Sequence, residues 1–199
     1  MTEKGHSAKL ILASSSPRRQ MLLKWAEVDF AVIPSHVDES FHPDMTPEEA
    51  SVHVSRKKAT AVLEGNAYST RHEGLPVLAA DTMVVLEGEI IGKPANRAEA
   101  ITILSKLSGK THRVVTGVMI TDGVRDDSFF DVTEVEFHRI SSTDIVHYVD
   151  RYKPFDKAGA YGIQEWIGVV GIRRINGDFY NVMGLPVSRV ISALKPYLR

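Results

Sequence analysis

The chain has 199 residues, 43% hydrophobic and 25% charged, a composition that suits one large domain or two small lobes sharing a sheet. Its net charge of −1 argues against a nucleic-acid coat or a binder of acidic membranes, and any basic surface must be local. It contains no cysteine, which excludes disulfides, thiolate zinc sites and cysteine nucleophiles. Met1 to Lys9 is polar and the apolar run behind it is short, too short for a signal-peptide core or a membrane span. The expected location is the cytoplasm.

In chain order, Leu10 to Ala13 reads as a short buried strand. Ser14, Ser15 and Ser16 supply hydroxyls and a cap, Pro17 suits a first helical position, and Met21, Leu22 and Trp25 follow at helical spacing. Asp29 to Ile33 predicts a second strand, and Ser35 to Asp44 a polar loop carrying Asp38, Glu39 and Asp44. Thr46-Pro47-Glu48-Glu49 is a capping box opening a helix that runs to about Gly65. Leu75 to Ala80 reads as a strand that Asp81-Thr82 interrupts before Met83 to Leu86, and Glu87-Gly88 turns the chain into Glu89 to Ile91. Asn96 caps a helix ended by Gly109. His112 to Ile120 and Phe129 to Phe137 predict a hairpin around Asp122 to Asp127, and Ser142 to Tyr152 a helix stopped by Pro154. Val169 to Ile175, Asn176-Gly177 and Phe179 to Met183 predict a second hairpin, and Pro186 to Leu198 a closing amphipathic helix. The expected class is α/β with a mixed-direction central sheet flanked by helices, a single domain over 1–199.

The first helix carries the chemistry. Arg18 and Arg19 fall in its first turn, where a cation is unfavourable by roughly 0.3–1 kcal/mol. Two guanidinium groups, free helix N–H groups and a run of hydroxyls at one point suit a bound anion, most simply a phosphate. Asp81, beside small alanines and the Thr82 hydroxyl at the end of a buried strand, lies where open α/β sheets place ligands. It is a candidate metal ligand or general base. Glu39 becomes a second metal carboxylate if it faces Asp81. Gly92-Lys93-Pro94 offers close backbone approach and a point charge. In Asp156 to Gln164, glycines and alanines surround Tyr161 and Gln164, a backbone suited to packing on a flat ligand such as a nucleobase. The eight histidines are scattered and read mostly as surface residues.

Absences narrow the choice further. No Walker loop, dinucleotide fingerprint, zinc-protease motif or nucleophile elbow is present. The inventory is phosphate-holding cations plus two carboxylates, with no covalent nucleophile. Metal-assisted attack of water on a phosphoryl group fits it.

Ser14-x-Ser16-Pro17-Arg18-Arg19, Val37-Asp38-Glu39, Ala80-Asp81-Thr82, Gly92-Lys93-Pro94, the stretch from Lys157 to Gln164, and Gly184-Leu185-Pro186 occur in the order seen in the Maf (septum-formation inhibitor) proteins. The resemblance covers nearly the whole chain, and the stretch from Lys157 to Gln164 resembles the branch acting on dTTP and UTP. It implies a mixed sheet between two α+β lobes around a cleft, as in inosine-triphosphate pyrophosphatases. It also implies a house-cleaning nucleoside-triphosphate pyrophosphatase requiring Mg or Mn and often homodimeric. Carried over by motif, Asp81 is the general base and a metal ligand with Glu39. Arg18, Thr82 and Gln164 set specificity. Ser14, Arg19, Lys58, Lys93 and Lys157 complete the substrate site. The chain departs from the family at Lys57-Lys58-Ala59, where Glu-Lys-Ala is usual.

The leading expectation is hydrolysis of a pyrimidine nucleoside triphosphate to monophosphate and pyrophosphate. One alternative is a nucleotide-binding regulator of septum formation without turnover, and another is a sugar-phosphate phosphatase.

Overall fold

The protein is described here from a computed structural model covering residues 9–197. Strand β1 (Leu10–Leu12) is wholly buried and leads into helix α1 (Pro17–Trp25), whose start is set by Ser16 as N-cap and Pro17 in the first turn. Strand β2 (Phe30–Val32) lies parallel to β1, Leu10 opposite Phe30. Helix α2 (Pro47–Leu63) opens on the expected capping box, in which the Thr46 hydroxyl accepts Glu49 N–H at 3.2 Å and the Glu49 carboxylate accepts Thr46 N–H at 2.9 Å.

A short helix α3 (Asn66–Arg71) follows, which the sequence reading does not contain. It has no side-chain cap and is anchored by Tyr68, whose hydroxyl donates to Leu75 O at 2.8 Å. Strand β3 (Val77–Leu86) then runs without a break. The expected interruption at Asp81-Thr82 is absent, so Asp81 stands mid-strand and not at a strand end. Polar side chains at those positions are accommodated because both find partners, described below.

Strand β4 (Glu89–Ile91) turns back antiparallel on β3, and helix α4 (Arg97–Leu107) is capped by the Asn96 side chain at 3.0 Å from Glu99 N. Strands β5 (Thr111–Thr121) and β6 (Asp126–Phe137) form the expected pair, with a shorter turn than the sequence suggested. Helix α5 (Ser142–Tyr152) has the predicted bounds.

The second expected hairpin does not form, although its first strand is present from Ile172 onward. Helix α6 (Trp166–Gly171) precedes strand β7 (Ile172–Asn176), and Phe179 to Met183 is helix α7 (Phe179–Met183), not a strand. Asn176-Gly177 turns the chain from strand into helix, because the Asp178 carboxylate captures Tyr180 N–H at 2.7 Å. Asn181 is then fully buried, donating to Val114 O at 3.1 Å and the Thr133 hydroxyl at 3.0 Å. β7 pairs instead with β6, antiparallel, Val135 opposite Ile175. Helix α8 (Val187–Leu194) closes the described chain; Leu198, in the predicted helix, lies outside the described residues.

The strands form one seven-stranded mixed sheet in the order β2-β1-β3-β5-β6-β7, with β4 on β3. Parallel pairing of β1 with β2 and β3 needs crossovers, which α1 and α2–α3 supply. The described residues divide into two compact units, one from residues 9–81, 117–130 and 184–197 and one from 82–116 and 131–183. In the first, Ile11, Ala13, Val77, Ala79 and Met119 of the sheet pack with Ala59, Val62 and Tyr68. In the second, Leu104, Leu107, Phe137, Ile145, Val149 and Ile167 are buried. Among the described residues no helix is long and apolar enough to cross a membrane.

Candidate active site

Within the first unit, the loop ahead of α1 is knitted by its own hydroxyls. Ser14 Oγ accepts Ser16 N–H at 3.2 Å and the Nη1 of Arg19 at 3.2 Å, while Arg19 Nε donates to Gly184 O at 2.8 Å. Gly184 has φ +117, a backbone state that L side chains rarely adopt, and this turns its carbonyl toward Arg19. The Gly184-Leu185-Pro186 motif therefore receives the second arginine of the first motif. Arg19 is buried, and burial pulls its guanidinium below its ordinary value. Arg18 adds to the drop, while Asp81 and Glu39 oppose it. α1 carries no acid in its first turn, so this cluster keeps its positive charge at the helix start.

The carboxylates expected to pair do converge. Lys58 of α2 places its ammonium 2.7 Å from Asp81 Oδ1 and 2.7 Å from Glu39 Oε1. Lys58 and Asp81 are largely buried, their side chains 9% and 13% exposed, whereas that of Glu39, on the loop, is 48% exposed. The neighbouring Lys57 donates to Ser40 O at 3.2 Å, and Asp38 takes Ser40 N–H at 3.1 Å. Lys57 thus ties down the loop that carries Glu39.

In the second unit, Thr82 hydrogen-bonds the Thr116 hydroxyl at 3.0 Å, and Thr116 reaches Asn181 O at 3.2 Å. The Gly92-Lys93-Pro94 segment meets the stretch from Lys157 to Gln164 through Gly159 N–H, which donates to Gly92 O at 3.1 Å. Gly159 has φ +70, and a Cβ there would lie 2.9 Å from Val84 Cγ2, so only glycine fits. Lys93 is exposed. Lys157 is buried, and its ammonium contacts Asp156 Oδ1 at 2.8 Å and Glu165 Oε1 at 3.2 Å. Gln164 has its side-chain oxygen buried with no hydrogen-bond partner, an acceptor in want of a donor.

Three residues that the sequence reading passed over support this segment. His112, 1% exposed, is the buried exception among the described histidines, which otherwise are not buried, as expected. Its Nε2 lies 2.7 Å from the Tyr161 hydroxyl, and Phe137 meets both rings edge-on. Burial pushes His112 down to about 4, so it is a neutral core residue. Tyr148 and Glu165 are the other two. Asn181 lies on α7, where the sequence pattern predicts a strand. None of the predicted site residues lines the cavity of about 660 Å³ formed by Val52, Arg56, Phe129, Phe130 and Arg189 with their neighbours.

The Maf-like protein family model matches residues 9–197. The chain belongs to the Maf family. Its similarity to curated relatives runs over most of both chains. It is 46% identical over 190 residues to a dTTP/UTP pyrophosphatase of Cytophaga hutchinsonii, covering 96% of this chain and 84% of that one. It is 44% identical over 189 residues to a dTTP/UTP pyrophosphatase of Bacteroides thetaiotaomicron, covering 94% and 95%. A Bacillus velezensis protein of the same name is 43% identical over 189 residues, covering 95% and 96%. Among solved structures, the Staphylococcus aureus Ham1 protein shows a partial likeness, with TM-score 0.44 and 18% identity over 65% of this chain and 72% of that one.

Proposed function

We propose that the chain hydrolyses dTTP and UTP to the monophosphate and pyrophosphate. The observation that carries this reading is the joint convergence of Glu39 and Asp81 on Lys58, in a chain 41–46% identical to proteins named dTTP/UTP pyrophosphatase. Asp81 is assigned the proton of the attacking water. Its mid-strand backbone is rigid, and Lys58 fixes its orientation, which is the preorganisation a general base needs. Ser14, Arg18, Arg19, Lys58 and Lys93 are assigned to the phosphates, where cations stabilise the charge that develops on a pyrophosphate leaving group. Lys157, held by two carboxylates, is better read as a support for the segment carrying Gln164.

A divalent cation fits the carboxylates. Glu39 Oε1 and Asp81 Oδ1 are each taken by the Lys58 ammonium at 2.7 Å, so a cation would draw on the other oxygens of these two side chains, and among the described residues no group of three or more acids or histidines gathers there. Mg characteristically takes one or two carboxylates and completes its shell with water and substrate phosphates. When bound, such an ion supplies Lewis-acid polarisation of a phosphoryl oxygen.

Base selection is assigned to Gln164, with Arg18 and Thr82. Uracil and thymine present an N3–H donor beside a carbonyl acceptor, and the unpartnered oxygen of Gln164 suits that N3–H. Cytosine reverses the pattern, with an acceptor at N3 and a donor at its amino group, so an amide held in one orientation would leave the Gln164 oxygen unsatisfied.

The deciding experiment incubates the protein with a panel of nucleoside triphosphates and Mg, with and without a chelator, and scores pyrophosphate against phosphate. Pyrophosphate from UTP and dTTP ahead of CTP and purines, lost on chelation, is the expected outcome. Release of inorganic phosphate with UDP accumulation would overturn it. Nucleotide binding with no product would instead mark a non-catalytic regulator.

A further inference from the structure

Tyr148 lies on α5, outside every motif that marked the site, with its ring fully buried and stacked on Tyr152 at 5.0 Å. Its hydroxyl has a partner on each side. It accepts Gly162 N–H at 3.0 Å and donates to Oε2 of the Glu165 carboxylate. Those two residues bracket Gln164, at the second position before it and the first after it.

The bracket is braced elsewhere. The second Glu165 oxygen meets Lys157 Nζ at 3.2 Å, and Lys157 also holds Asp156. Tyr161, just before Gly162, is pinned by His112 at 2.7 Å. A Cβ at Gly162 would lie 2.8 Å from Glu165 Cδ, so the carboxylate rests directly on the glycine backbone. Burial, followed by the Glu165 carboxylate, keeps the Tyr148 phenol protonated and therefore able to donate. One side chain in this segment stands apart: the Gln164 oxygen is buried and unpartnered.

A free side-chain amide can flip and so reads no base edge. An amide discriminates only when its backbone and neighbours are held. We propose that Tyr148 is a positioning residue for base selection, its hydroxyl clamping Gly162 and Glu165 so that the Gln164 amide keeps one orientation. This rests on the assignment of Gln164 to the base edge. Tyr148 touches no reacting atom. Its role is to make the carbonyl oxygen of Gln164 the fixed acceptor for an N3–H donor, which turns a pyrimidine pocket into one selective for uracil and thymine.

The test compares kcat/KM for UTP and CTP in the wild type, Tyr148→Phe, Gln164→Ala and the double variant. Tyr148→Phe keeps the ring and removes only the clamp. Losing a hydrogen bond to a charged group predicts that the UTP:CTP ratio drops by about tenfold or more. The loss should appear in the UTP KM, with kcat at saturating UTP within about twofold of wild type. In the Gln164→Ala background Tyr148→Phe should change the ratio no further. If Tyr148→Phe does not fold, Glu165→Gln carries the same test, since it weakens one arm of the clamp and keeps the Gly162 bond; a fall of about threefold is expected. An unchanged ratio in Gln164→Ala overturns the base-edge assignment and this inference with it. A collapsed ratio in Gln164→Ala beside a wild-type ratio in the clamp variant overturns only the role of Tyr148. So does an additive loss in the double variant.

Discussion

The Lys58 ammonium lies 2.7 Å from the Asp81 carboxylate in the middle of β3. Both side chains are largely withdrawn from water, and Glu39 reaches the same nitrogen from a more exposed loop. A carboxylate set in a strand interior is held by partners and not by its backbone preference. The same contact thus explains how β3 tolerates Asp81 and how Asp81 is aimed.

Asp81→Asn keeps the size of the side chain and removes the charge that accepts a proton. Turnover of UTP should fall by ~10²–10⁴-fold, the usual contribution of a general base. Nucleotide binding measured by calorimetry should persist. Near-wild-type turnover would return Asp81 to a purely structural role.

Lys58→Met leaves two carboxylates facing each other without their cation. Breaking a buried pair from one side costs about 3–5 kcal/mol, and the exposure of Glu39 places this case near the lower end. Urea unfolding should read that loss. Adding Asp81→Asn to Lys58→Met should restore part of it, because the stranded charge goes as well. A double variant less stable than Lys58→Met alone would show that the pair is not the source of the effect.

Arg19→Lys tests geometry at constant charge. The guanidinium bonds Gly184 O and Ser14 Oγ through two different nitrogens, and a single ammonium cannot replace both directions. A stability loss of about 2 kcal/mol is expected, since bonds to charged groups contribute on that order. The KM for UTP should rise with it. Wild-type stability in a thermal melt would mean that Gly184 is held by other means.

His112 makes stability depend on pH. Its folded value, about 4, lies below the ordinary 6.5, so between those values the unfolded chain binds more protons. Stability is therefore full above the ordinary value and declines as pH falls toward 4. Between pH 7 and pH 5 the loss from this residue should be about 2 kcal/mol. Denaturant midpoints at the two pH values, compared with His112→Asn, isolate it. An equal pH slope in both proteins would remove His112 from the account.

Local signals were legible in the sequence because their physics is local. Ser16-Pro17, the Thr46–Glu49 box and Asn96 each cap a helix through a bond to a residue three positions on, and each helix begins where its cap stands. The candidate phosphate residues, Asp81 and Gln164 were likewise marked by motif. Asn176-Gly177 misled for the complementary reason. A turn signal says that the chain bends, but not into what: the Asp178 carboxylate on Tyr180 N–H starts a helix there, and the buried bonds of Asn181 to Val114 and Thr133, residues far away in sequence, hold it. The roles of Lys58, His112, Tyr148 and Glu165 were decided only in the folded chain. Their partners lie 23, 49 and 17 positions away, respectively, for Lys58 with Asp81, His112 with Tyr161 and Tyr148 with Glu165. A sequence pattern carries hydrogen bonds that close within one helical turn. Which distant polar groups must satisfy one another once water is excluded is set by the packing of the whole core.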